Sequence, residues 1–322
     1  MIPIGGYPEL AIEPGKHFHN GALRLNLGRT CLEYILKVRG YSKVFLPHYT
    51  CSVLLEPLRK SGVEAHYYDI DFNFEAVFLP KLNESEAFLY INYLGLKDKY
   101  VELLYEKYGK RLIVDNSQAF YSDSISGVDT FYSARKFFGV SDGAYLYCDA
   151  IHSCMYPQDY SYDRMMYLLK RIDVGAENGY ADFQTSEESL SESPIMKMSK
   201  LTSRILEGID YSKAKECRKR NFMILHEALR DCNMLDFEIS ESCAPLAYPF
   251  LQSDSALRAK LIDRKIFVPK YWPEFNDGYS QTDSEKTFRK LLLPLPIMHT
   301  YDRNDMHYII ETIKSVTKQN NR

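Results

Sequence analysis

The 322-residue sequence predicts an α/β protein built on a mainly parallel sheet. Two patterns carry that expectation. Short apolar runs alternate with stretches of helical period through the first two-thirds of the chain. Several of those runs close on a proline or a carboxylate, as strands feeding helices do. Composition adds a third observation: 45% hydrophobic and 26% charged residues describe a packed globular chain, which excludes disorder and collagen-like repeats. Forty basic side chains against forty-three acidic ones leave a net charge of −3, with no cationic field for nucleic acid or anionic lipid. No apolar stretch approaches the roughly 20 residues a membrane span needs. The start, Met1-Ile2-Pro3-Ile4-Gly5-Gly6, lacks the profile of a secretory signal. Seven cysteines, an odd and scattered set, read as reduced thiols, so a cytoplasmic location is expected.

The elements follow in order. Gly28-Arg29-Thr30 opens a helix over residues 31–38, with apolar positions at helical spacing. Residues 43–47 form a strand ended by proline, and a helix over 52–61 stops at Gly62. A strand at 65–69 runs into acidic loop residues. Another follows at 87–92, then a helix over 99–108 closed by Gly109. The strand at 111–115 ends in a carboxylate, and 143–148 is one more strand. Strand and helix units in this rhythm imply a sheet covered on both faces. Residues 176–194 are acidic, serine-rich and nearly devoid of aliphatic side chains, which predicts a surface loop or domain junction. Residues 196–229 read as one long helix with Gly208 inside it. Strands at 237–239 and 247–251, an apolar run at 266–269 and a last helix over 305–316 suit a smaller α/β domain. The expected division is 1–205 for the large domain and 206–322 for the small one, and no internal repeat is seen.

In open parallel sheets, ligands bind beyond the carboxyl ends of the strands. Asp115 stands at such an end, in Asp115-Asn116-Ser117-Gln118-Ala119, and Ser133-Ala134-Arg135-Lys136 follows in the next segment. A lysine amine condenses with an aldehyde cofactor. A buried aspartate keeps a pyridine nitrogen protonated, so that the ring draws electrons. A serine hydroxyl and a helix N-terminus hold a phosphate, and Gly28-Arg29-Thr30 offers a second phosphate contact.

Taken singly these residues have ordinary readings. A carboxylate closing a strand is commonly a cap or turn residue, and a lysine beside aromatics is commonly a solvated charge. Ser133 could satisfy a turn, Arg29 could be an exposed charge at a helix start, and Gln118 could be a structural hydrogen-bonder. Tyr132 and Lys136 have the Tyr-x-x-x-Lys spacing of short-chain dehydrogenases, but no glycine-rich dinucleotide turn follows the first strand. Cys148, His152 and Cys154 lack a fourth ligand and fit no common zinc spacing, so no metal is expected. Tyr160, Tyr162 and Tyr167 with Arg164 could stack on a base, although packing explains them as well. His17 and His19 have no partner that the sequence identifies.

The ordered set of motifs resembles the DegT/DnrJ/EryC1/StrS sugar aminotransferases, pyridoxal-phosphate enzymes of aminotransferase fold type I. Leu46-Pro47-His48-Tyr49-Thr50 and Tyr68-Asp69-Ile70-Asp71 are similar to that family's proline-threonine strand and its "fyDiD" stretch. Val114 to Ala119 is similar to "EDaAQa", and Phe131 to Lys136 to the "fSf…K" segment. Met198-Ser199-Lys200-Leu201 resembles the "MSelqAA" helix, and Leu293-Pro294-Leu295-Pro296 the "lPlhp" ending. The resemblance implies that Lys136 carries the internal aldimine, that Asp115 pairs with the pyridine nitrogen, and that Gln118 lies beside the ring. It further implies that Ser133, Gly28, Arg29 and Thr30 bind the phosphate. A homodimer with shared sites is implied, with 176–194 as the crossing loop. The implied reaction is amination of a nucleotide-linked keto-sugar by an amino acid, glutamate by family habit, for a surface polysaccharide or related glycoside. Sugar dehydration on the same scaffold and a non-catalytic sugar-nucleotide-binding relative are the alternatives. Retention of Lys136 speaks against the dehydratase branch, which has histidine there. The chain departs from the family in its short N-terminal segment, in Arg29 inside the phosphate turn, and in Gly143-Ala144 where a glycine pair is usual. It also has Cys51 where family members place a ring-stacking aromatic after the threonine.

Overall fold

The computed structural model describes residues 4–150, 155–237, 244–272 and 282–318. Seven strands form one mixed sheet: β1 (Leu23–Leu25), β2 (Lys43–Pro47), β3 (Glu64–Tyr68), β4 (Glu86–Ile91), β5 (Leu112–Asn116), β6 (Asp129–Ser133) and β7 (Ala144–Tyr147). Their spatial order is β1-β7-β6-β5-β4-β2-β3. The run from β3 to β6 is parallel, whereas β7 lies antiparallel to both β6 and β1. Every residue of β4, β5 and β6 is buried, as expected for parallel strands covered on both faces.

Helix α1 (Gly28–Arg39) buries Cys31, Leu32, Ile35 and Leu36. It ends at Gly40, whose φ of +68° is the left-handed conformation of a helix C-terminus, and Gly40 N–H donates to Leu36 O. Helices α2 (Leu55–Ser61) and α3 (Asp98–Tyr108) follow the expected strand-helix rhythm, and α4 (Met166–Asp173) precedes a segment where expectation and structure part. Residues 176–194 are not a plain loop. They contain a helix, α5 (Tyr180–Ser189), whose alanine, glutamine and glutamates favour helix and whose apolar face is too weak to show in the sequence. Residues 196–229 are likewise two helices, α6 (Lys200–Glu207) and α7 (Tyr211–Leu229). At the break the N-terminal arm packs closely on Gly208, where a Cβ would lie 2.9 Å from Ile12 Cγ2 and 3.1 Å from Glu13 O. Asp210 then caps α7, its carboxylate accepting from Lys213 N–H at 3.0 Å.

Beyond α7 come β8 (Ala247–Leu251), α8 (Leu257–Asp263), α9 (Asp283–Leu291), β9 (Leu292–Pro296) and α10 (Arg303–Lys318). β8 and β9 pair antiparallel, and a second core including Phe222, Leu225, Phe250, Leu261 and Ile310 packs on them. The apolar run at 266–269 forms no strand, although Ile266 and Val268 are buried in this core. Phe237 is outside any strand, and residues 238–239 lie outside the described residues, as do His152 and Cys154. Among the described residues, no helix is long and apolar enough to cross a membrane.

Candidate active site

Strands β5 and β6 are parallel neighbours, with Asp115 opposite Phe131. Asp115 therefore sits near the carboxyl end of one strand, and Lys136 lies in the turn that leaves the other, within the short helical turn Ala134–Lys136. The connection following Lys136 is fixed from two sides. Ala134 N–H donates to Gly143 O at 3.1 Å, and Gly143 N–H donates to Asn26 O. Gly143 has φ +111° and lies so close to Thr202 that a Cβ would meet Cγ2 at 2.9 Å, so this position requires glycine. The guanidinium of Arg218, fully buried, donates to Phe137 O and Leu246 O, both at 3.2 Å, and covers the Phe137 ring at 4.6 Å. Burial pulls that guanidinium down to about 10.

Asp115 and Lys136 face one cavity of about 160 Å³. Gly28 and Arg29 line it from the start of α1, Thr50 and Cys51 from the loop after β2, Gln118 from the loop after β5, and Ser133 from the end of β6. Asp115 is 5% exposed, and its Oδ1 accepts from Ser117 N–H at 2.7 Å. Burial holds its carboxyl above the usual carboxylate range, while the Lys136 ammonium and the Ser117 hydrogen bonds oppose that shift. Gln118 is oriented by Leu94 N–H, which donates to its Oε1 at 2.9 Å.

Six of the residues singled out in the sequence thus border one space: Gly28, Arg29, Asp115, Gln118, Ser133 and Lys136. Thr30 does not. Its side chain is fully buried behind the helix start, and its hydroxyl donates to Asn26 Oδ1 at 2.7 Å. What Thr30 can offer an anion is its first-turn amide. Arg29 is also engaged, with Nη1 3.0 Å from Glu56 Oε2.

Other features of the site had no legible signal in the sequence. Thr50 Oγ1 is buried and has no hydrogen-bond partner among the described residues. Arg135 and Glu187 form an ion pair on the cavity wall, which brings α5 back onto the site of its own chain. Trp272, the single tryptophan, closes the cavity from the C-terminal part of the chain. A larger cleft of about 710 Å³ shares Cys51, Gln118, Lys136 and Trp272 with the cavity. It opens toward Ala247, Pro294 and Ile309, with the cations Arg171 and Lys265 on its border. A groove of about 400 Å³ near Phe72, Lys97 and Phe237 shares no residue with either space.

The whole architecture is similar to solved aminotransferase structures. The PLP-form of a putative sugar aminotransferase from Streptococcus pneumoniae is 15% identical with a TM-score of 0.64, over 92% of this chain and 87% of that one. A DegT DnrJ EryC1 StrS aminotransferase from Brucella abortus is 15% identical with a TM-score of 0.62, over 92% and 86%. An aminotransferase from Streptoalloteichus hindustanus is 13% identical with a TM-score of 0.63, over 94% and 87%. No protein-family model and no curated protein matches the sequence. The chain has the α/β fold of pyridoxal-phosphate-dependent aminotransferases, which its sequence predicts.

Proposed function

We propose that this chain is a pyridoxal-phosphate-dependent aminotransferase that transfers an amino group from an amino acid, glutamate by family habit, to a keto group on a nucleotide-linked sugar. One observation carries the reading: a buried carboxylate and a lysine, on the ends of adjacent parallel strands, share a cavity with a helix N-terminus. The donor set fits the cofactor. Asp115 is a buried acid near a cation, Thr50 Oγ1 is a buried hydroxyl with no partner among the described residues, and Gly28 and Arg29 of the first turn of α1 line the same cavity.

When bound, the pyridoxal ring supplies an electron sink for the carbanionic carbon. Asp115 would keep the pyridine nitrogen protonated, and its burial would keep water from competing for that bond. Lys136 Nζ would move the proton between the donor's Cα and the cofactor's C4′, and in the second half-reaction between C4′ and the acceptor carbon. The amides of Gly28, Arg29 and Thr30, together with the Ser133 hydroxyl, bind the phosphate. The Arg29–Glu56 pair leaves less positive charge at that end than a free arginine would. Gln118 lies at the junction of the cavity and the larger cleft, where it can orient both cofactor and sugar. The reading extends to a cytoplasmic homodimer, to a 1–205 cofactor-binding domain with a 206–322 small domain, and to a product used in a surface polysaccharide or related glycoside.

Glutamate added to protein loaded with pyridoxal phosphate should bleach the visible band, and a keto-sugar nucleotide should restore it. A band unmoved by glutamate and by every other amino acid tried would refute transamination.

A further inference from the structure

The loop after β2 places Cys51, not a ring, on the cavity wall. Among the described residues only two aromatic rings border the cavity, those of Phe131 and Trp272. Phe131 lies on the side of the α1 start, 3.6 Å from where a Cβ on Gly28 would sit. Trp272 lies at the other end, where it borders the larger cleft together with Cys51 and Lys136.

Its conformation is unusual and closely determined. Trp272 has φ +50°, a left-handed backbone that bulky residues rarely adopt. Arg289, 7% exposed, holds it there: Nη1 donates to Trp272 O at 2.8 Å, and Nη2 donates to His48 O at 2.7 Å. One guanidinium therefore ties Trp272 to the loop that carries Thr50 and Cys51. The indole meets the Tyr49 ring edge-on, at 4.6 Å between centroids and 74° between planes. A strained backbone persists only where its surroundings over-determine it, and such positions cluster at ligand sites.

We propose that Trp272 is the aromatic wall of the cofactor site, supplying from the C-terminal part of the chain the ring contact that Cys51 cannot make. This rests on the reading of the cavity as a pyridoxal-phosphate site. A protonated pyridine ring is electron-poor and an indole face electron-rich, so the pair packs favourably. The arrangement also makes closure of the site depend on α9 and Arg289, which link the C-terminal segment to the β2 loop.

The test titrates cofactor-free protein with pyridoxal phosphate and follows two signals, the visible band and tryptophan emission. Because Trp272 is the sole tryptophan, all such emission comes from the proposed wall. In the parent, emission should be quenched in step with growth of the band, whereas inorganic phosphate should leave it unchanged. By the band, Trp272→Phe should bind within about twofold of the parent and Trp272→Leu about tenfold more weakly, the scale of one lost aromatic pair. Cys51→Tyr placed in the Trp272→Leu background should recover most of that loss. Unquenched parent emission, or parent-like affinity in a folded Trp272→Leu protein, would overturn the proposal even if the band forms normally. No band in the parent would overturn the cofactor reading itself, and this proposal with it.

Discussion

Replacing Glu285 with glutamine should flatten the pH dependence of stability. Glu285 is fully buried at the start of α9, where its Oε1 accepts Ile70 N–H at 3.1 Å. Its carboxyl, the Asp69 carboxyl and the His48 imidazole each place one polar atom within 4.8 Å of the others. Burial pushes the Glu285 carboxyl up to about 8. The Ile70 N–H opposes that shift, the Asp69 charge adds to it, and the Arg289 charge opposes it. An unfolded glutamate titrates near 4.3, so between about pH 4.3 and 8 the folded chain keeps a proton that the unfolded chain has lost. The sign follows: this group stabilises most at the acid end, and its contribution declines as pH rises through the window. The slope is about 1.4 kcal/mol per pH unit, levelling as pH nears 8, which amounts to about 2 kcal/mol between pH 6 and 8. Glutamine keeps an acceptor for Ile70 and cannot ionise. Urea unfolding of both proteins at pH 6, 7 and 8 should therefore show the parent losing about 2 kcal/mol more than Glu285→Gln over that range. Parallel profiles would refute a shared, elevated proton at this cluster.

Two further substitutions test the packing behind the site. Gly143→Ala should cost about 1–3 kcal/mol, because φ is +111° and Thr202 blocks the new methyl; a thermal melt reads this as a lowered midpoint. Arg39→Ala should cost about 3–5 kcal/mol in denaturant unfolding. It removes a guanidinium bonded at 2.8 and 2.7 Å to the two carboxylate oxygens of Asp129, and Asp129 is fully buried. An Arg39→Ala loss no larger than that of an exposed pair would show the buried carboxylate to be satisfied some other way.

The chemistry-bearing part of the site was legible because it is local. Asp115 closes an apolar strand, Lys136 follows in the next segment, and Gly28 to Thr30 open a helix of clear period. What escaped reading depends on long-range contacts or on weak local patterns. β1 is three residues long with two of them exposed, which leaves no pattern to detect. Ile266 and Val268 are apolar enough for a strand, but they pack into a core without a hydrogen-bonded neighbour strand. His17 Nδ1 lies 2.6 Å from Tyr145 Oη, and His19 Nε2 lies 2.8 Å from Phe120 O, partners more than 100 residues away. Burial then lowers the His19 imidazole to about 4, so it serves as a neutral packing group. Trp272 reaches the cavity only because Arg289 holds its carbonyl and that of His48 at once. No spacing in the chain announces that triple contact.

On the proposed function, Lys136 is the residue that condenses with pyridoxal phosphate. Borohydride reduction of the loaded protein, followed by peptide mass spectrometry, tests it directly. One stoichiometric pyridoxyl adduct is expected on the peptide carrying Lys136, and none at that level in a folded Lys136→Ala variant. A parent protein with no adduct on that peptide, or with label spread thinly over surface lysines, would contradict it.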